Sequence, residues 1–254
     1  MRADVRAEVV RFLLEREMDR VGIANASLFH APRGYNPTDL LEGCRSVIVF
    51  AKAIPKGVFE ASRRRPHFYL NAYERYFAIM DDLAILLAAR LEEKGFLSLS
   101  IPSCTPLIRT EGLYRGLLSL KHAAELAGLG SFGKNQLLLN ETYGPRLRLA
   151  AVLTQAALEP DPPAEKSLCP ESCSLCQEAC PAKAIRPSGF IQPRCFEHCM
   201  AHPLLSLSSI VRWLPGKASS DSFYELATNT LGRPFQVKCF QCLICCPWYQ
   251  KSRD

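Results

Sequence analysis

The sequence predicts two segments of different construction: an α+β segment over residues 1–158, and a small cysteine-rich segment over residues 159–254. Three observations carry this prediction. Helical and strand patterns alternate before residue 158, the stretch 159–163 is a polar, proline-rich linker, and ten of the twelve cysteines follow it. The second segment is short and has few stretches in which apolar residues recur periodically, so it can build little hydrophobic core. Bound metals or cofactors must therefore help to hold it together.

Helices in the first segment are predicted where apolar residues recur every three or four positions. This pattern covers residues 4–20, 70–94 and 117–127, and Gly95 ends the second of these helices as a C-terminal glycine does. Strands are predicted for the apolar runs 46–54, 96–101, 137–140 and 146–155. The alternation of the two patterns is what indicates a mixed fold.

Composition and charge exclude several classes of protein. With 48% hydrophobic and 22% charged residues, the chain is an ordinary globular sequence and not a disordered or coiled-coil one. Its longest apolar run, 83–89, is far too short to cross a bilayer, and its charged N-terminus does not resemble a signal peptide. We therefore expect a cytoplasmic protein without a membrane partner. The net charge of +6 is too mild to argue for nucleic acid.

The clustered cysteines form two motifs with the same ending. The first is C-x3-C-x2-C-x3-C-P from Cys169 to Pro181, and the second is C-x2-C-x3-C-P from Cys239 to Pro247. Bacterial ferredoxins carry C-x2-C-x2-C-x3-C-P, and its last cysteine ligates the other cluster of the pair. Because cytosolic chains rarely form disulfides, the sequence predicts a ferredoxin-like domain with two [4Fe-4S] clusters.

The exchanged ligand pattern gives each cluster cysteines from both motifs. One cluster takes Cys169, Cys173, Cys176 and Cys246, and the other takes Cys180, Cys239 and Cys242. The second cluster needs a fourth ligand, for which the candidates are Cys195, Cys199 and Cys245, and we favour Cys195. Two zinc sites of four cysteines each are the alternative, which explains the clustering but not the paired C-P endings.

A glycine-rich run precedes the cysteines and carries Gly128, Gly130, Gly133, Lys134 and Asn135. It matches G-x-G-x-x-G and nearly matches a P-loop, but both nucleotide motifs require a strand immediately before them. Here a helical pattern comes first, and Asn135 replaces the hydroxyl residue of a P-loop. Two interpretations remain: a turn that ends a helix, or a backbone that closely approaches a large flat cofactor.

The run 122–154, taken together with the two cysteine motifs and the strand 46–54, resembles the epoxyqueuosine reductase family. The resemblance covers roughly residues 20–250. It implies that residues 1–158 form a nitroreductase-like corrinoid-binding domain, that 159–254 form the cluster domain, and that a cobalamin lies beside the clusters. It also assigns Cys195 to the second cluster and relates the chain to corrinoid reductive dehalogenases. The glycine-rich run, with Lys134 and Asn135, would then approach the corrinoid.

The chain departs from this family at several points. The family's D-S-x-P element, whose aspartate is expected to donate a proton, corresponds to residues 103–106, where Ser103 replaces the acid. Extra residues follow over 109–119, and Glu111 and Tyr114 in this insertion are candidates for the missing donor. The chain also ends at Asp254, without the C-terminal extension that some members use on tRNA. The chain is therefore predicted to be a divergent relative, in which the cofactors carry over more readily than a tRNA substrate.

The predicted function is that of an iron–sulfur oxidoreductase. An external ferredoxin or flavodoxin would reduce two [4Fe-4S] clusters, which would pass electrons to a bound cobalamin for a reductive reaction on a small-molecule or corrinoid substrate. The alternative is a ferredoxin-like electron carrier, or an activator that reduces a corrinoid on another protein. The missing aspartate and the short C-terminus favour this alternative.

Overall fold

The computed structural model describes residues 2–104, 107–110, 112–164, 166–201 and 236–252. Helices, apart from one 3-10 turn at Ala26–Leu28, are α1 (Arg2–Leu14), α2 (Pro37–Leu40), α3 (Lys56–Glu60), α4 (Arg65–Glu92), α5 (Leu120–Leu126), α6 (Leu175–Glu178), α7 (Gln192–Cys199), α8 (Gln241–Ile244) and α9 (Pro247–Lys251). Strands are β1 (Arg20–Asn25), β2 (Ser46–Ala53), β3 (Ser98–Ile101), β4 (Ile108–Thr110), β5 (Leu113–Arg115), β6 (Ser131–Phe132), β7 (Leu138–Leu139), β8 (Leu147–Thr154), β9 (Ile185–Arg186), β10 (Gly189–Phe190), β11 (Met200–Ala201) and β12 (Gln236–Val237).

A four-stranded antiparallel sheet with the order β1-β2-β8-β3 lies at the centre of the first segment. Helices α1 and α4 cover one face, where Ile48 and Val152 are fully buried. Helix α5 covers the other face, where Val49 and Ala151 are fully buried. Because both faces are covered, β2 and β8 are apolar along almost their whole length instead of alternating. The mixed α and β architecture predicted from the sequence is confirmed.

The helices and strands predicted in the first segment are present, with corrected boundaries. The first helix ends at Leu14 and not at residue 20, because the chain turns through Glu17 at a φ of 62°. The long helix begins at Arg65 and not at residue 70, since a proline occupies its first turn and favours helix initiation there. It ends before Gly95, which adopts a φ of 85° as predicted. Helix α5 is shorter than the predicted 117–127.

Strand β1 was not predicted, and its place in the sheet depends on close approach by another element. A Cβ at Gly22 would lie 2.3 Å from the carbonyl oxygen of Ala127, so only glycine lets the end of α5 pack on this strand. The predicted linker also runs along β1. Asp161 accepts a hydrogen bond from the Ile23 amide at 2.9 Å and pairs with Arg6 at 2.7 Å.

The cysteine-rich segment packs against the first segment through a third apolar cluster. Phe240 and Tyr249 from the C-terminal helices lie there against Phe59 and Tyr69 from α3 and α4, in edge-on and tilted ring contacts. The domain boundary near residue 159 stays a prediction, although this cluster joins residues from both sides of it. Within the described ranges, none of the helices combines the length and the apolar character that a membrane crossing requires.

Candidate cluster and cofactor site

The fold brings the ten clustered cysteines together as two groups of five. We call Cys169, Cys173, Cys176, Cys245 and Cys246 the first thiol group, because their side chains interact electrostatically with one another. The second thiol group consists of Cys180, Cys195, Cys199, Cys239 and Cys242. The two groups are neighbours, since Cys242 of the second also interacts with Cys176 and Cys245 of the first. Each group therefore holds one thiol more than a four-cysteine cluster uses.

Short elements position these thiols. The amide of Lys238, which follows β12, donates to the carbonyl of Cys199 at 2.8 Å, and this contact extends the pairing of β11 with β12. It places the Cys199 thiol 3.5 Å from the carbonyl of Cys239. Helix α7 carries Cys195 and Cys199 one turn apart, and the two thiols are hydrogen-bonded. This hydrogen bond raises the pKa of Cys195 and lowers that of Cys199.

The donor set suits iron–sulfur clusters in its chemistry. Thiols from two distant motifs converge, and burial raises the pKa of Cys176 to about 11 and that of Cys242 to about 12. Such thiols stay protonated at neutral pH unless a metal offsets the cost of burying their charge. Among the described residues, no group of three or more His, Cys, Asp or Glu side chains is arranged to hold a single metal ion.

Lys134 and Asn135 of the glycine-rich run contact the cysteine motifs directly. The Lys134 ammonium donates to the backbone carbonyls of Pro170, Glu171 and Cys173 at 3.2, 2.5 and 2.8 Å. The buried Asn135 amide donates to the carbonyl of Cys242 at 2.8 Å. These two side chains thus hold both cysteine motifs, one in each thiol group, against the first segment.

The glycines of this run are enclosed by protein. A Cβ at Gly130, whose φ is 156°, would lie 2.1 Å from the carbonyl oxygen of Leu139. At Gly128 a Cβ would meet the carbonyl of Pro162 at 2.5 Å, and at Gly133 it would meet the Asn135 side chain at 2.6 Å. Helix α5 precedes the run as predicted, so the glycines do end a helix. Their approach to a corrinoid stays a prediction.

A cavity of about 640 Å³ lies next to the glycine-rich run. Its lining includes Ser103, Cys104, Gly116, Lys121, Phe132 and Gln136. The five residues predicted to approach a corrinoid do not themselves line it, whereas their neighbours Phe132 and Gln136 do. The volume is typical of small-molecule and cofactor sites, so this cavity is the candidate binding site.

Ser103 and Cys104 of the cavity wall each contact a side chain of α4 that the sequence did not single out. The Asp81 carboxylate accepts hydrogen bonds from the amide and the hydroxyl of Ser103, at 2.8 and 2.6 Å. The Tyr73 hydroxyl lies 2.5 Å from the Cys104 thiol. Burial raises the pKa of both Tyr73 and Cys104, so both groups are protonated near neutral pH. A carboxylate therefore does contact Ser103, but it comes from α4 and not from a residue adjacent to Ser103 in the sequence.

Lys121 connects the cavity with the second thiol group. Its ammonium donates to the carbonyl of Gln136 at 2.6 Å and interacts electrostatically with Cys195 and Cys242. Burial, together with the nearby Arg148 cation, lowers the pKa of Lys121. Lys121 therefore lines the cavity and also interacts with two thiols of the second group.

The insertion 109–119 forms another part of the cavity wall. Tyr114 stacks on Phe196 of α7 with ring centroids 4.0 Å apart, and its backbone exchanges two 2.8 Å hydrogen bonds with the Gln192 side chain. Tyr114 thus contacts the helix that carries Cys195. Glu111, the other proposed donor, lies outside the described residues.

Comparison with known proteins gives the following similarities. No protein-family model matches the chain. A tetrachloroethene reductive dehalogenase of Dehalobacter restrictus is 33% identical over 145 residues, which are 56% of this chain and 23% of the dehalogenase. Epoxyqueuosine reductases of Cyclobacterium marinum and Listeria monocytogenes are each 27% identical, over 88% and 98% of this chain and over 64% and 60% of their own lengths. The chain thus spans less than two thirds of these curated relatives.

Solved structures show the same two kinds of protein. An epoxyqueuosine reductase in complex with an epoxyqueuosine-modified tRNA stem loop has a TM-score of 0.65 at 22% identity, over 99% of this chain and 67% of that one. The Bacillus subtilis enzyme gives 0.63 at 22%, over 97% and 66%. A reductive dehalogenase described as B12-dependent gives 0.54 at 20%, over 73% and 26%.

The fold is therefore the one shared by epoxyqueuosine reductases and reductive dehalogenases. Among these, the similarity to the epoxyqueuosine reductases extends over most of the chain. The chain is a divergent relative of the epoxyqueuosine reductases, and the resemblance predicted from the sequence is confirmed.

Proposed function

We propose that the chain is a reductase that relays electrons through two [4Fe-4S] clusters to a bound cobalamin, for a reductive reaction on a substrate. One observation carries the proposal: the two cysteine motifs converge into two adjacent thiol groups, and Lys121, which interacts with the second group, lines a cavity of about 640 Å³ that would take part of a cobalamin. Burial of Cys176 and Cys246 would shield the first cluster from water. The reductase relatives support the same function.

The proposed ligands take four thiols from each group. The first cluster is held by Cys169, Cys173, Cys176 and Cys246, and the second by Cys180, Cys195, Cys239 and Cys242. Lys134 and Asn135 hold the two motifs in place through their backbone carbonyls. A clustered set of thiolates needs this outer support, because hydrogen bonds to the ligand loops fix their orientation.

Cobalamin would supply the metal-centred reductive chemistry when bound in the cavity. The chain's own residues would then exclude water and hold protons. The Cys104 thiol stays protonated at the cavity wall, as does the Tyr73 hydroxyl behind it, and the Asp81 carboxylate orients the Ser103 hydroxyl. These groups stand where the family's aspartate is missing. They are the candidates for supplying a proton to a reduced product.

The relatives suggest two classes of substrate. An epoxyqueuosine reductase acts on modified tRNA and a dehalogenase on a small halogenated molecule, so both tRNA and a small molecule are candidate substrates. The external electron donor would be a ferredoxin or a flavodoxin. The second candidate function, an electron carrier or corrinoid activator, is favoured by Ser103, because it stands where the family has its acid.

Metal analysis of anaerobically purified protein tests the cluster proposal. We expect a brown protein with about eight iron atoms and matching sulfide per chain, because two four-cysteine clusters hold that number. A colourless preparation with stoichiometric zinc and no iron would refute the proposal.

A pair of glycine substitutions tests the cavity as the cobalamin site. A Cβ at Gly116 would meet only the carbonyl of Leu118, at 3.4 Å, so Gly116→Leu adds bulk to the cavity wall at little cost to the fold. Gly57→Leu is the matched control, because Gly57 has open space around it and does not line the cavity. We expect anaerobic cobalamin titration to show at least tenfold weaker binding for Gly116→Leu and wild-type binding for Gly57→Leu.

Three outcomes of that titration are decisive. Equal binding by both variants would place the corrinoid elsewhere. Equal loss in both would indicate a general disturbance of the fold. Absence of binding by the wild-type chain would favour the electron-carrier function.

A further inference from the structure

We propose that Cys199 is a second ligand for the iron that Cys195 holds, so that these two thiols exchange at one corner of the second cluster. This inference rests on the proposed function, since it requires that the cluster is present. It concerns a residue that the cysteine motifs leave unused.

The first argument is the position of the two thiols on one helix. Cys195 and Cys199 are four residues apart in α7, so both side chains leave the same face of the helix. They are hydrogen-bonded to each other. Whichever thiol does not hold iron is therefore already in contact with the one that does.

The second argument is that both thiols face the same remaining ligands. Both interact electrostatically with Cys242. Cys195 also faces Cys180, while Cys199 faces Cys239 and lies 3.5 Å from its carbonyl. The two thiols thus share Cys242 as a neighbour, and each also has one of the other two proposed ligands near it.

The third argument is the number of thiols in the group. A cubane binds one thiolate at each of its four irons, and the second thiol group has five members. Three of them belong to the paired motifs, so one corner is left for two thiols of α7. Unlike Cys245, the extra thiol of the first group, Cys199 is hydrogen-bonded to a proposed ligand, which lets it compete for the same iron.

The exchange is balanced without an oxidant or a reductant. The bond between iron and the Cys195 sulfur breaks, and a bond between the same iron and the Cys199 sulfur forms. The proton of the Cys199 thiol passes to the Cys195 sulfur along the hydrogen bond that joins them. Iron, sulfur and total charge are unchanged.

Iron content and electron paramagnetic resonance test the exchange without any substrate. The variants are Cys195→Ala, Cys199→Ala and the double variant, with Cys180→Ala as a fixed-ligand control and Cys44→Ala as a control outside both thiol groups and the cavity. We expect about eight irons per chain in both single variants and about four in the double variant and in Cys180→Ala. In the dithionite-reduced wild type we expect two overlapping signals for the second cluster. Each single variant should keep only one of them.

Several results would overturn this inference. Loss of four irons in Cys195→Ala but not in Cys199→Ala would make Cys195 a fixed ligand, and the reverse would make Cys199 the ligand. Eight irons in the double variant would show that neither thiol is needed. A wild-type chain without iron would refute the proposed function as well. Eight irons in the wild type, with four lost in one of the single variants, would refute only the exchange. Circular dichroism of each variant separates ligand loss from misfolding.

Discussion

Lys134 gives the sharpest test of how the first segment supports the clusters. Its ammonium donates to three backbone carbonyls of the loop that carries Cys169 and Cys173. Lys134→Met keeps the length of the side chain and removes all three hydrogen bonds. If the loop opens before iron can leave, this substitution should accelerate iron release.

The size of the effect follows from the exposure of these bonds. A hydrogen bond to a charged group contributes roughly 1.5–3 kcal/mol when it is well shielded. Two of the three Lys134 bonds are exposed and only the one to Cys173 is partly buried, and water can replace exposed partners. We therefore expect a total loss of about 2 kcal/mol, which corresponds to roughly a 30-fold change in the loop-opening equilibrium.

The assay is anaerobic transfer of iron to a ferrous chelator, followed by absorbance. Lys94→Met is the control, because Lys94 forms an exposed ion pair with Glu8 at 2.6 Å, near α1 and away from the cysteine motifs. We expect about 30-fold faster release of iron from the first cluster in Lys134→Met and no change in Lys94→Met. If Lys134→Met releases iron at the wild-type rate, Lys134 does not hold the cysteine loop closed. If the rate is unchanged and cobalamin binding is lost, Lys134 contacts the corrinoid instead.

Three further outcomes are expected. Asn135→Leu should lower the free energy of unfolding by about 2 kcal/mol and loosen the second cluster, because the buried carbonyl of Cys242 loses its donor; denaturant unfolding with an iron assay measures both. Gly130→Ala should cost about 2 kcal/mol or more, since its Cβ would meet a β7 carbonyl at 2.1 Å, and an unchanged melting temperature would contradict this. Burial raises the pKa of Cys44 to about 11, so the folded state binds its proton more tightly than the unfolded state does. The resulting stability is complete below about pH 9 and is lost towards pH 11. As the pH rises over that range, the melting temperature of Cys44→Val should therefore fall less steeply than that of the wild type.

The spacing of apolar residues along the chain predicted much of the fold, because it indicates which side of a helix or strand is buried. A helix against a sheet shows one apolar stripe, and α4 carries Met80, Leu87 and Leu91 at the required spacing. The apolar runs that became β2 and β8 are visible because both faces of those strands are buried. Strand β1 was missed because it is short and contains a glycine. That glycine is needed because the end of α5, distant in sequence, packs directly against it.

The convergence of the cysteine motifs could be predicted from the sequence, and the side chains that support them could not; the assignment of ligands to clusters stays a prediction. Cysteine spacing is a local property, so the two motifs could be read directly along the chain. The contact of Asp81 with Ser103 joins residues 22 positions apart, and that of Asn135 with Cys242 joins residues 107 positions apart. Neither pair shows a pattern in the sequence. Lys134 illustrates the limit: its place beside the glycines suggested a cofactor contact, while its ammonium reaches three carbonyls of a cysteine loop.

The sequence by itself determined the mixed α and β class, the ferredoxin-type spacing of the cysteines and the resemblance to the epoxyqueuosine reductases, since each of these lies in residues close together along the chain. Only the tertiary structure decided that ten cysteines form two groups of five, that Lys121 lines a cavity and interacts with the second group, and that Asp81 of α4 contacts Ser103. The physical reason is that spacing along the chain fixes local geometry. Which distant side chains meet depends on the order of the strands and on the packing of helices across them.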